Sequence, residues 1–421
     1  MGMNIAEKIL ARAARVPQIV PGDIAIVEVD TCVLTDMNFM PASWRRILKM
    51  PDPAKVVVVL DHMVPANEPL SAAAHTTARA FVKEFGIARF HDVGRGQGIS
   101  HVVVADNAYA LPGTVMVNPD SHTCGGGAFN CAARGVGLPE TIFAVTTGKS
   151  WFRVGETIRY ELEGKLKPGV SAKDVFLHIA GTQGAHVNQN VEYGGPGLAN
   201  LSLNARHTLA IMGTELSAEF VIFEPDQPML DYVRARNTGA FTPVLPDPDA
   251  RYKERRRLAL GDIEPLVALP DSIVSNSVKV SEVAGQKIDQ AFIGSCANGT
   301  LDDFAVAAKV VAGRRVAPGV RLIVTPGSQA IYRDALAAGY VATLSEAGAV
   351  VTNATCGACV GMHMGVLGPG EVCITASTRN FKGRMGDPSA RIYMASPATV
   401  AASALAGRIA GAGEFFQGDL A

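Results

Sequence analysis

The sequence predicts an α/β protein built on parallel sheets, and three observations support this fold class. Short runs rich in Val and Ile recur along the chain, each followed by a polar or Gly-rich loop. Ala-rich stretches of helical character separate these runs, which is the pattern of parallel strands joined by crossover helices. The chain has 421 residues, so several domains of ordinary size are expected.

Six apolar runs are the clearest candidate strands. In chain order they begin the segments VVVVLDHMVP (56–65), TVMVNPDSHT (114–123), QAFIGSCANG (290–299), RLIVTPGSQA (321–330), AVVTNATCGAC (349–359) and EVCITASTRN (371–380). In sheets of this type, ligands collect beyond the carboxyl ends of the strands. Five residues whose side chains can bind a metal, carry a charge or transfer a proton lie just past these runs: His62, His122, Cys296, Cys356 and Arg379. We expect them to converge on one place.

Changes in sequence pattern predict three α/β domains, over residues 1–155, 156–274 and 275–421. Residues 237–271 are rich in Pro and charged side chains and poor in periodicity, which is typical of a domain boundary. A second change of pattern lies near residues 150–170. The third domain would then carry three of the five strand-end residues.

Composition and charge exclude several classes of protein. The formal net charge is −1, which gives no electrostatic drive toward nucleic acid. No uninterrupted apolar run approaches the roughly 20 residues that a membrane helix needs. The first residues, MGMNIAEKILARAARV, lack the long apolar centre of a secretory signal. We therefore expect a cytoplasmic protein that binds neither a membrane nor nucleic acid.

The seven cysteines predict free thiols or metal ligands rather than a disulfide framework, because their number is odd and the chain is long. Cys356 and Cys359 are three apart, and Cys296 follows another predicted strand, expected in the same sheet. Three thiolates suit a four-iron cluster in which one iron has no protein ligand; they equally suit a Cys3His zinc site completed by His62 or His122. Unligated buried thiols are a third possibility that the spacing leaves open. The remaining cysteines lack a matched spacing and are expected to pack in the core: Cys32, Cys124, Cys131 and Cys373.

Two arginines flank a Gly-containing turn in the segment RNFKGR. Guanidinium groups bind carboxylates through paired hydrogen bonds, so Arg379 and Arg384 near an open iron would suit a dicarboxylate or tricarboxylate. A solvated basic loop is the alternative, and it would be favoured for an isolated pair of arginines.

Three histidines lie in contexts that suit proton transfer. They are His62 in DHMVP, His101 in GISHVVV and His122 in PDSHTC, and the first and last have an aspartate beside or near them. A carboxylate partner fixes the imidazole tautomer and raises its basicity, which suits a proton relay or the binding of a leaving hydroxide. A structural role is the alternative for each histidine alone.

Four short motifs, in this order and at comparable separations, resemble the aconitase superfamily: DSHT (120–123), GSCANG (294–299), CGAC (356–359) and RNFKGR (379–384). Three further segments resemble the separate large subunits of isopropylmalate dehydratase and homoaconitase enzymes: IAEKILAR (5–12), VEYGGPG (191–197) and IEPLVA (263–268). The resemblance covers nearly the whole chain. It implies three doubly wound α/β domains of the aconitase type around a central cleft.

The resemblance also implies an activity. It is that of a hydro-lyase that dehydrates and rehydrates a hydroxylated dicarboxylate or tricarboxylate, with 3-isopropylmalate of leucine biosynthesis as the first expectation. A related dehydratase acting on citramalate, maleate or dimethylmalate is the alternative. RNA binding is an alternative of another class, because some aconitase relatives bind RNA when they lack their cluster. Its local support is the basic run RYKERRRLAL (251–260), which a solvated helix face explains better.

Each candidate site residue receives a role from the resemblance. The ligands of a [4Fe-4S] cluster with one iron not bound by protein would be Cys296, Cys356 and Cys359. A single metal ion in place of the cluster stays an alternative. The substrate-binding residues would be Ser121, Arg379 and Arg384. The groups around the substrate hydroxyl would be Asp61, His62, His101, Asp120 and His122. Glu215 would lie near the open iron.

Three positions depart from the family pattern, and one family motif is missing. Thr378 and Ile211 stand where the family has asparagines that face the cluster, and Thr35 stands where relatives have Gln, His or Asn. Family members remove the carbon-bound proton with a serine in a GSSR-like loop, and this sequence contains no such loop. The resemblance therefore implies a partner, a small swivelling subunit that supplies the catalytic serine.

Overall fold

The computed structural model describes residues 2–416, which form two compact units. The first unit comprises the chain up to Val93 together with Ser100–Gly164 and His186–Ala259. The second unit comprises Gly94–Ile99, Lys165–Ala185 and the described chain from Leu260 onward. Each unit therefore joins segments that are distant in sequence.

The strands are short, as is usual for α/β proteins. In chain order they are β1 (Ile24–Glu28), β2 (Thr31–Thr35), β3 (Val56–Val59), β4 (Arg89–His91), β5 (Val115–Asn118), β6 (Ala132–Gly135), β7 (Lys149–Arg153), β8 (Glu156–Glu163), β9 (Gln189–Gly194), β10 (Val221–Phe223), β11 (Glu254–Ala259), β12 (Leu266–Ala268), β13 (Ser277–Lys279), β14 (Gln290–Ile293), β15 (Arg321–Val324), β16 (Val350–Val351), β17 (Val372–Thr375) and β18 (Arg391–Ala395).

The α-helices connect these strands. In chain order they are α1 (Ile5–Ala13), α2 (Pro69–Phe85), α3 (Ser100–Asp106), α4 (Leu138–Thr147), α5 (Ala172–Gln183), α6 (Leu203–Met212), α7 (Gln227–Arg234), α8 (Val280–Val283), α9 (Ser295–Asn298), α10 (Leu301–Val311), α11 (Gln329–Ala337), α12 (Tyr340–Glu346) and α13 (Pro397–Ala406). None of the helices in the described residues is both long enough and apolar enough to cross a membrane.

The first unit contains two parallel sheets and one antiparallel strand pair. A five-stranded sheet has the order β4-β3-β2-β5-β6, a four-stranded sheet has the order β10-β9-β8-β11, and β1 pairs with β7. Neighbouring strands are parallel throughout both larger sheets. Every residue of β3, four valines, is buried. An unbroken apolar run of this kind is what a strand needs when both faces of its sheet are covered.

The second unit is built on one sheet with the order β13-β12-β18-β17-β14-β15-β16. The strands from β18 to β16 are parallel, whereas β12 is antiparallel to both of its neighbours. Residues of β14, β15, β17, α10 and α13 form one apolar core, in which Ile293, Phe304 and Val400 are fully buried. The carboxyl ends of β17, β14, β15 and β16 therefore lie side by side along one edge of the sheet.

The predicted α/β fold class is confirmed, and all six predicted strands form, as β3, β5, β14, β15, β16 and β17. The predicted ranges 1–155 and 156–274 contain the five-stranded and four-stranded sheets. The seven-stranded sheet falls in the range 275–421 except for β12, which precedes it in sequence. The three-domain division and its central cleft stay predictions.

The basic run RYKERRRLAL corrects the expectation of a helix face. It contains β11, which pairs in parallel with β8, so long-range strand pairing overrides the local pattern. Its arginines form ion pairs with carboxylates: Arg255 with Glu161, Arg256 with Glu254, and Arg257 with Glu163. Paired arginines do not make the uncompensated basic surface that nucleic-acid binding requires.

Candidate active site

Polar side chains follow three adjacent strands of the five-stranded sheet. Asp36 comes directly after β2, Asp61 and His62 follow β3, and Asp120 and His122 follow β5. The sheet order β3-β2-β5 makes these strand ends neighbours. The carboxyl edge of this sheet therefore collects carboxylates and imidazoles, as the sequence predicted for His62 and His122.

Two carboxyl groups hold the His62 ring from one side. Asp61 Oδ1 lies 2.6 Å and Asp36 Oδ1 lies 3.1 Å from His62 Nδ1. Asp36 Oδ2 also accepts hydrogen bonds from the backbone N–H groups of His62 (3.1 Å) and Met63 (3.0 Å). Asp61 Oδ2 accepts one from the Ser100 N–H (3.0 Å), at the start of α3. The ring and its peptide are therefore fixed, with Nε2 directed away from the two acids.

Asp36 and Asp61 titrate as a pair because they contact the same imidazole nitrogen and each other. Burial favours the neutral form of both carboxyls, but the hydrogen bond and charge of His62 outweigh it at Asp36 and lower its pKa to about 2. At Asp61 burial dominates and raises the pKa. One acid therefore stays ionised, and the second holds a proton more readily than a free aspartate does.

Asp120 joins His62 to the two other predicted histidines, His101 and His122. Its Oδ1 atom lies 2.8 Å from His101 Nε2 and accepts a hydrogen bond of 2.8 Å from the His122 N–H, at the start of the 3-10 helix Ser121–Phe129. Its Oδ2 atom lies 3.6 Å from His62 Nε2. His122 Nε2 lies 2.9 Å from Glu215 Oε1. All five predicted residues of this group, His62, His101, Asp120, His122 and Glu215, are thus brought together in one network.

The network shifts the pKa values of two of its members, Asp120 and His122, in opposite directions. Burial would raise the pKa of Asp120, but the charge and hydrogen bond of His101 and the bonds from His122 and His62 hold it well below the usual range. Burial would lower the pKa of His122, whereas Asp120 and Glu215 raise it. An ionised Asp120 beside the readily protonated imidazole of His122 can store and pass protons. Ser121, between Asp120 and His122, is exposed at this edge.

The predicted cysteines follow two strands of the parallel part of the second unit's sheet. Cys296 lies in α9 just after β14, and Cys356 and Cys359 lie in the turn after β16. The turn is closed by a hydrogen bond of 3.0 Å from the Cys359 N–H to the Cys356 carbonyl. Cys296 and Cys359 are buried, and Cys356 is partly exposed. The sheet order therefore places all three at one edge, as the sequence predicted.

The turn that carries the arginines packs against the turn that carries Cys359. The hydroxyl of Thr378 lies 3.7 Å and Nη2 of Arg384 lies 4.0 Å from Cys359 Sγ. Gly361 has a φ of 68°, and a Cβ atom there would come within 2.9 Å of the Arg384 carbonyl oxygen. Only glycine allows that backbone and that close approach. Hydroxyl and guanidinium donors beside a thiolate sulfur suit a metal-bound cysteine, whose properties such donors tune.

The residues present fit an iron–sulfur cluster. Among the described residues, the three cysteines do not together form a group whose ligand atoms all lie within 4.8 Å of one another. Such spacing disfavours a single ion held by all three thiolates, whereas a cluster holds its thiolates further apart. Ser377 Oγ, next to Thr378, is buried and has no hydrogen-bond partner in the described part of the chain, so a further donor is available there. His122, one candidate for a zinc ligand, already has both ring nitrogens near carboxylates.

The other four cysteines behave as the sequence predicted. All are buried, and burial raises the pKa of Cys124 and Cys131 to about 12 and that of Cys32 and Cys373 further. Thiols of this kind pack as small apolar groups.

Asp36 is the functional candidate that sequence reasoning missed. It directly follows Thr35, is completely buried and contacts His62 at two points, the backbone N–H and the ring atom Nδ1. The signal was present: β2, TCVLT, is a buried run that an aspartate directly follows, which is the same pattern that identified His62 after β3.

Comparison with known proteins relates this chain to one family. The model of the aconitase family (aconitate hydratase) matches residues 25–407. The chain is 54% identical to the 3-isopropylmalate dehydratase large subunit of Mycolicibacterium smegmatis, over 97% of this chain and 96% of that protein. It is 43% identical to the 3-isopropylmalate dehydratase large subunit 1 of Methanopyrus kandleri, over 97% and 98% of the two chains. It is 42% identical to the probable methanogen homoaconitase large subunit of Methanothermobacter thermautotrophicus, over 97% of each.

These matches confirm the predicted resemblance and the predicted large subunit of an aconitase-type hydro-lyase. The family implies an iron–sulfur cluster, and the relatives' designation as large subunits implies a small-subunit partner. With a family model that spans most of its length and relatives similar over almost all of it, this chain belongs to the aconitase family.

Proposed function

We propose that the chain is the large subunit of a hydro-lyase that isomerises 3-isopropylmalate by removing and re-adding water, with a [4Fe-4S] cluster and a small partner subunit. The observation that carries the substrate is the similarity, over nearly the whole chain, to relatives named for 3-isopropylmalate. Each proposed catalytic histidine lies within hydrogen-bonding distance of a carboxyl group. This supports dehydration, because dehydration requires a proton to be delivered to the departing hydroxyl.

Cys296, Cys356 and Cys359 would hold the cluster. Three thiolates leave one iron without a protein ligand, and such an iron supplies Lewis-acid chemistry at a carboxylate and a hydroxyl oxygen. Thr378 and Arg384 would tune it through their contacts with Cys359. Glu215 would lie near the open iron, as the family resemblance implies.

His62 would deliver a proton from Nε2 to the substrate hydroxyl. Asp36 and Asp61 hold Nδ1, so the ring is oriented and its protonated form is stabilised. Asp120 would link His62 to His101 and His122 and keep a negative charge that stabilises the protonated imidazoles. The reverse transfer would accompany rehydration at the neighbouring carbon.

Arg379, Arg384 and Ser121 would bind the substrate carboxylates. A guanidinium offers a planar pair of donors that matches both oxygens of a carboxylate, and so fixes the position and the orientation of the substrate. Arg384 lies in a turn closed by its own N–H to the Phe381 carbonyl (3.1 Å), which limits its motion.

The base that removes the carbon-bound proton would come from the partner. The sequence has no GSSR-like loop, and the imidazoles and arginines above are committed to the hydroxyl and the carboxylates. A small subunit would therefore supply the catalytic serine. The cytoplasmic location stays a prediction.

The test is an assay of the reconstituted chain with and without a small subunit that carries a GSSR-like loop. 3-Isopropylmalate, citramalate, maleate and dimethylmalate are offered in parallel, because Thr35, Thr378 and Ile211 depart from the family pattern. We expect turnover of 3-isopropylmalate only with the partner present. Full turnover by the isolated chain would refute the two-subunit proposal, and preference for another acid would overturn the substrate.

A further inference from the structure

Lys173 is a buried lysine outside the groups described so far. It lies in the first turn of α5, and its relative exposure is 0%. Lysine is rarely buried completely, because removing an ammonium group from water is costly unless the protein replaces its hydrogen bonds. Lys173 Nζ donates a hydrogen bond of 2.9 Å to the Ser377 carbonyl, 204 residues away in sequence. The buried charge is therefore used to hold one specific carbonyl group.

That carbonyl belongs to the turn that carries the arginines. Three residues further on, Asn380 Nδ2 donates hydrogen bonds to the carbonyls of Leu269 (2.6 Å) and Ser272 (3.1 Å). Lys173 and Asn380 thus hold the backbone on either side of Thr378 and Arg379. Thr378 contacts Cys359 Sγ, and Arg379 is a proposed ligand of the substrate carboxylate.

Hydrogen bonds also fix the N-terminus of α5, so the backbone at Lys173 is held in place. Asp174 Oδ2 accepts a hydrogen bond of 2.8 Å from the Ser171 N–H, which completes a capping box at the start of the helix. Asp174 Oδ1 accepts one of 3.1 Å from the Leu266 N–H, at the start of β12. The adjacent residues Lys173 and Asp174 therefore hold different segments of the same unit: the arginine-bearing turn and β12.

We propose that Lys173 is a positioning residue for substrate binding: its ammonium group holds the Ser377 carbonyl, and thereby sets the placement of Thr378 and Arg379. This inference rests on the proposed role of Arg379 in binding a carboxylate. A lost hydrogen bond at Ser377 releases the backbone that carries the guanidinium, and small displacements of a substrate-binding group have large effects on binding and rate.

The test uses the complete enzyme, with its cluster and its small subunit, and two substitutions at one site. Lys173→Met conserves much of the volume, and Lys173→Gln is a shorter polar side chain that cannot reach the carbonyl. Both are expected to raise KM for 3-isopropylmalate, and the dissociation constant of the non-reacting dicarboxylate malonate, by about tenfold, with a smaller change in kcat. The iron and sulfide content should equal that of the wild type.

Asp174→Asn is the matched control, because it alters the next residue of the same buried turn without touching the arginine-bearing turn. It should lower the unfolding temperature and leave KM and malonate binding unchanged. An Asp174→Asn enzyme with the same loss of affinity would mean that general loosening of α5 is responsible, and would overturn the proposal. Wild-type KM in both Lys173 variants would overturn it as well, as would loss of the cluster together with affinity.

Arg379→Lys separates this inference from the proposed function. Unchanged KM in Arg379→Lys would remove the assigned role of the arginine and, with it, the basis of the proposal for Lys173. A raised KM in Arg379→Lys combined with wild-type KM in both Lys173 variants would leave the arginine assignment standing and refute only the role of Lys173.

Discussion

The two units carry functional side chains of different chemical types. The first unit carries an acid–imidazole set, comprising Asp36, Asp61, His62, His101, Asp120, His122 and Glu215. The second unit carries a thiol–guanidinium set, comprising Cys296, Cys356, Cys359, Arg379 and Arg384. In the acid–imidazole set each base has an acid within hydrogen-bonding distance. In the thiol–guanidinium set, thiolates suit soft metals and guanidiniums suit anions.

This difference indicates that the two units have different roles, proton transfer in the first and binding in the second. A network whose charges compensate one another is suited to moving protons among its own members. Thiols and guanidiniums at one sheet edge are suited to holding groups that the chain itself does not supply, a cluster and a carboxylate. Substitutions in the second unit should therefore affect cofactor and substrate binding, and substitutions in the first unit should affect turnover.

The largest effect is expected from breaking the thiol–guanidinium set at a cluster ligand. Cys356→Ser should abolish both the cluster and the activity, because three thiolates are the only proposed protein attachment. Iron and sulfide analysis of protein purified without oxygen measures this directly. Cys373→Ser is the control, since Cys373 is completely buried within β17 and should keep the cluster. Equal cluster content in both variants would remove Cys356 from the ligand set.

A smaller effect is expected when the same set is altered at a cation. Arg384→Lys keeps the charge but loses the paired hydrogen bonds, so kcat/KM should fall by about a hundredfold while the cluster remains. Steady-state kinetics alongside iron analysis separates the two effects. Near-normal turnover would favour the alternative, in which Arg384 belongs to a solvated basic loop and does not bind substrate.

The acid–imidazole set should respond in kcat rather than in KM. Asp36→Asn removes the carboxylate of the pair that stays ionised beside His62 Nδ1, and we expect kcat to fall by about tenfold or more with little change in KM. Asp92→Asn provides the control, because Asp92 forms an exposed ion pair with Arg79 (2.7 Å) in the same unit. A rise in KM without a fall in kcat would contradict a role of the first unit in proton transfer rather than in substrate binding.

The smallest effect concerns a histidine that packs beside the acid–imidazole set without belonging to it. Burial, assisted by the nearby charge of His101, lowers the pKa of His207 from 6.5 to about 3. The unfolded chain therefore binds a proton that the folded protein does not, so His207 stabilises the fold fully above about pH 6.5 and progressively less as the pH falls toward 3.

His207→Gln should remove that dependence. Between pH 6.5 and about pH 5.5 the wild type should lose about 1 kcal/mol more of its free energy of unfolding than the variant. Urea denaturation at several pH values measures the difference. Parallel pH profiles of the two proteins would show that His207 is protonated in the folded state.

Much of the site was predictable because its residues follow buried apolar runs. The rule that polar residues cluster past the ends of parallel strands identified His62, His122, Cys296 and Cys356 from their positions alone. The same rule would have identified Asp36, had the shorter run of β2 been included. The family motifs then supplied Glu215, whose segment IMGTE carries no strand signal.

Other features depend on contacts that no local pattern encodes. Lys173 sits in an ordinary helical stretch, and its burial follows from a partner 204 residues away. The run around Arg256 reads as a charged helix face, yet pairing with β8 makes it a strand. Both units also join distant segments, because parallel sheets bring together strands that long connections separate.

The proposed iron–sulfur cluster of the second unit, held by Cys296, Cys356 and Cys359, can be tested directly. The most direct measurement is metal and sulfide analysis, with a visible absorbance spectrum, of the wild-type chain purified without oxygen. We expect brown protein with about four iron and four sulfide ions per chain. Colourless protein that contains a single zinc ion per chain and no sulfide would contradict it.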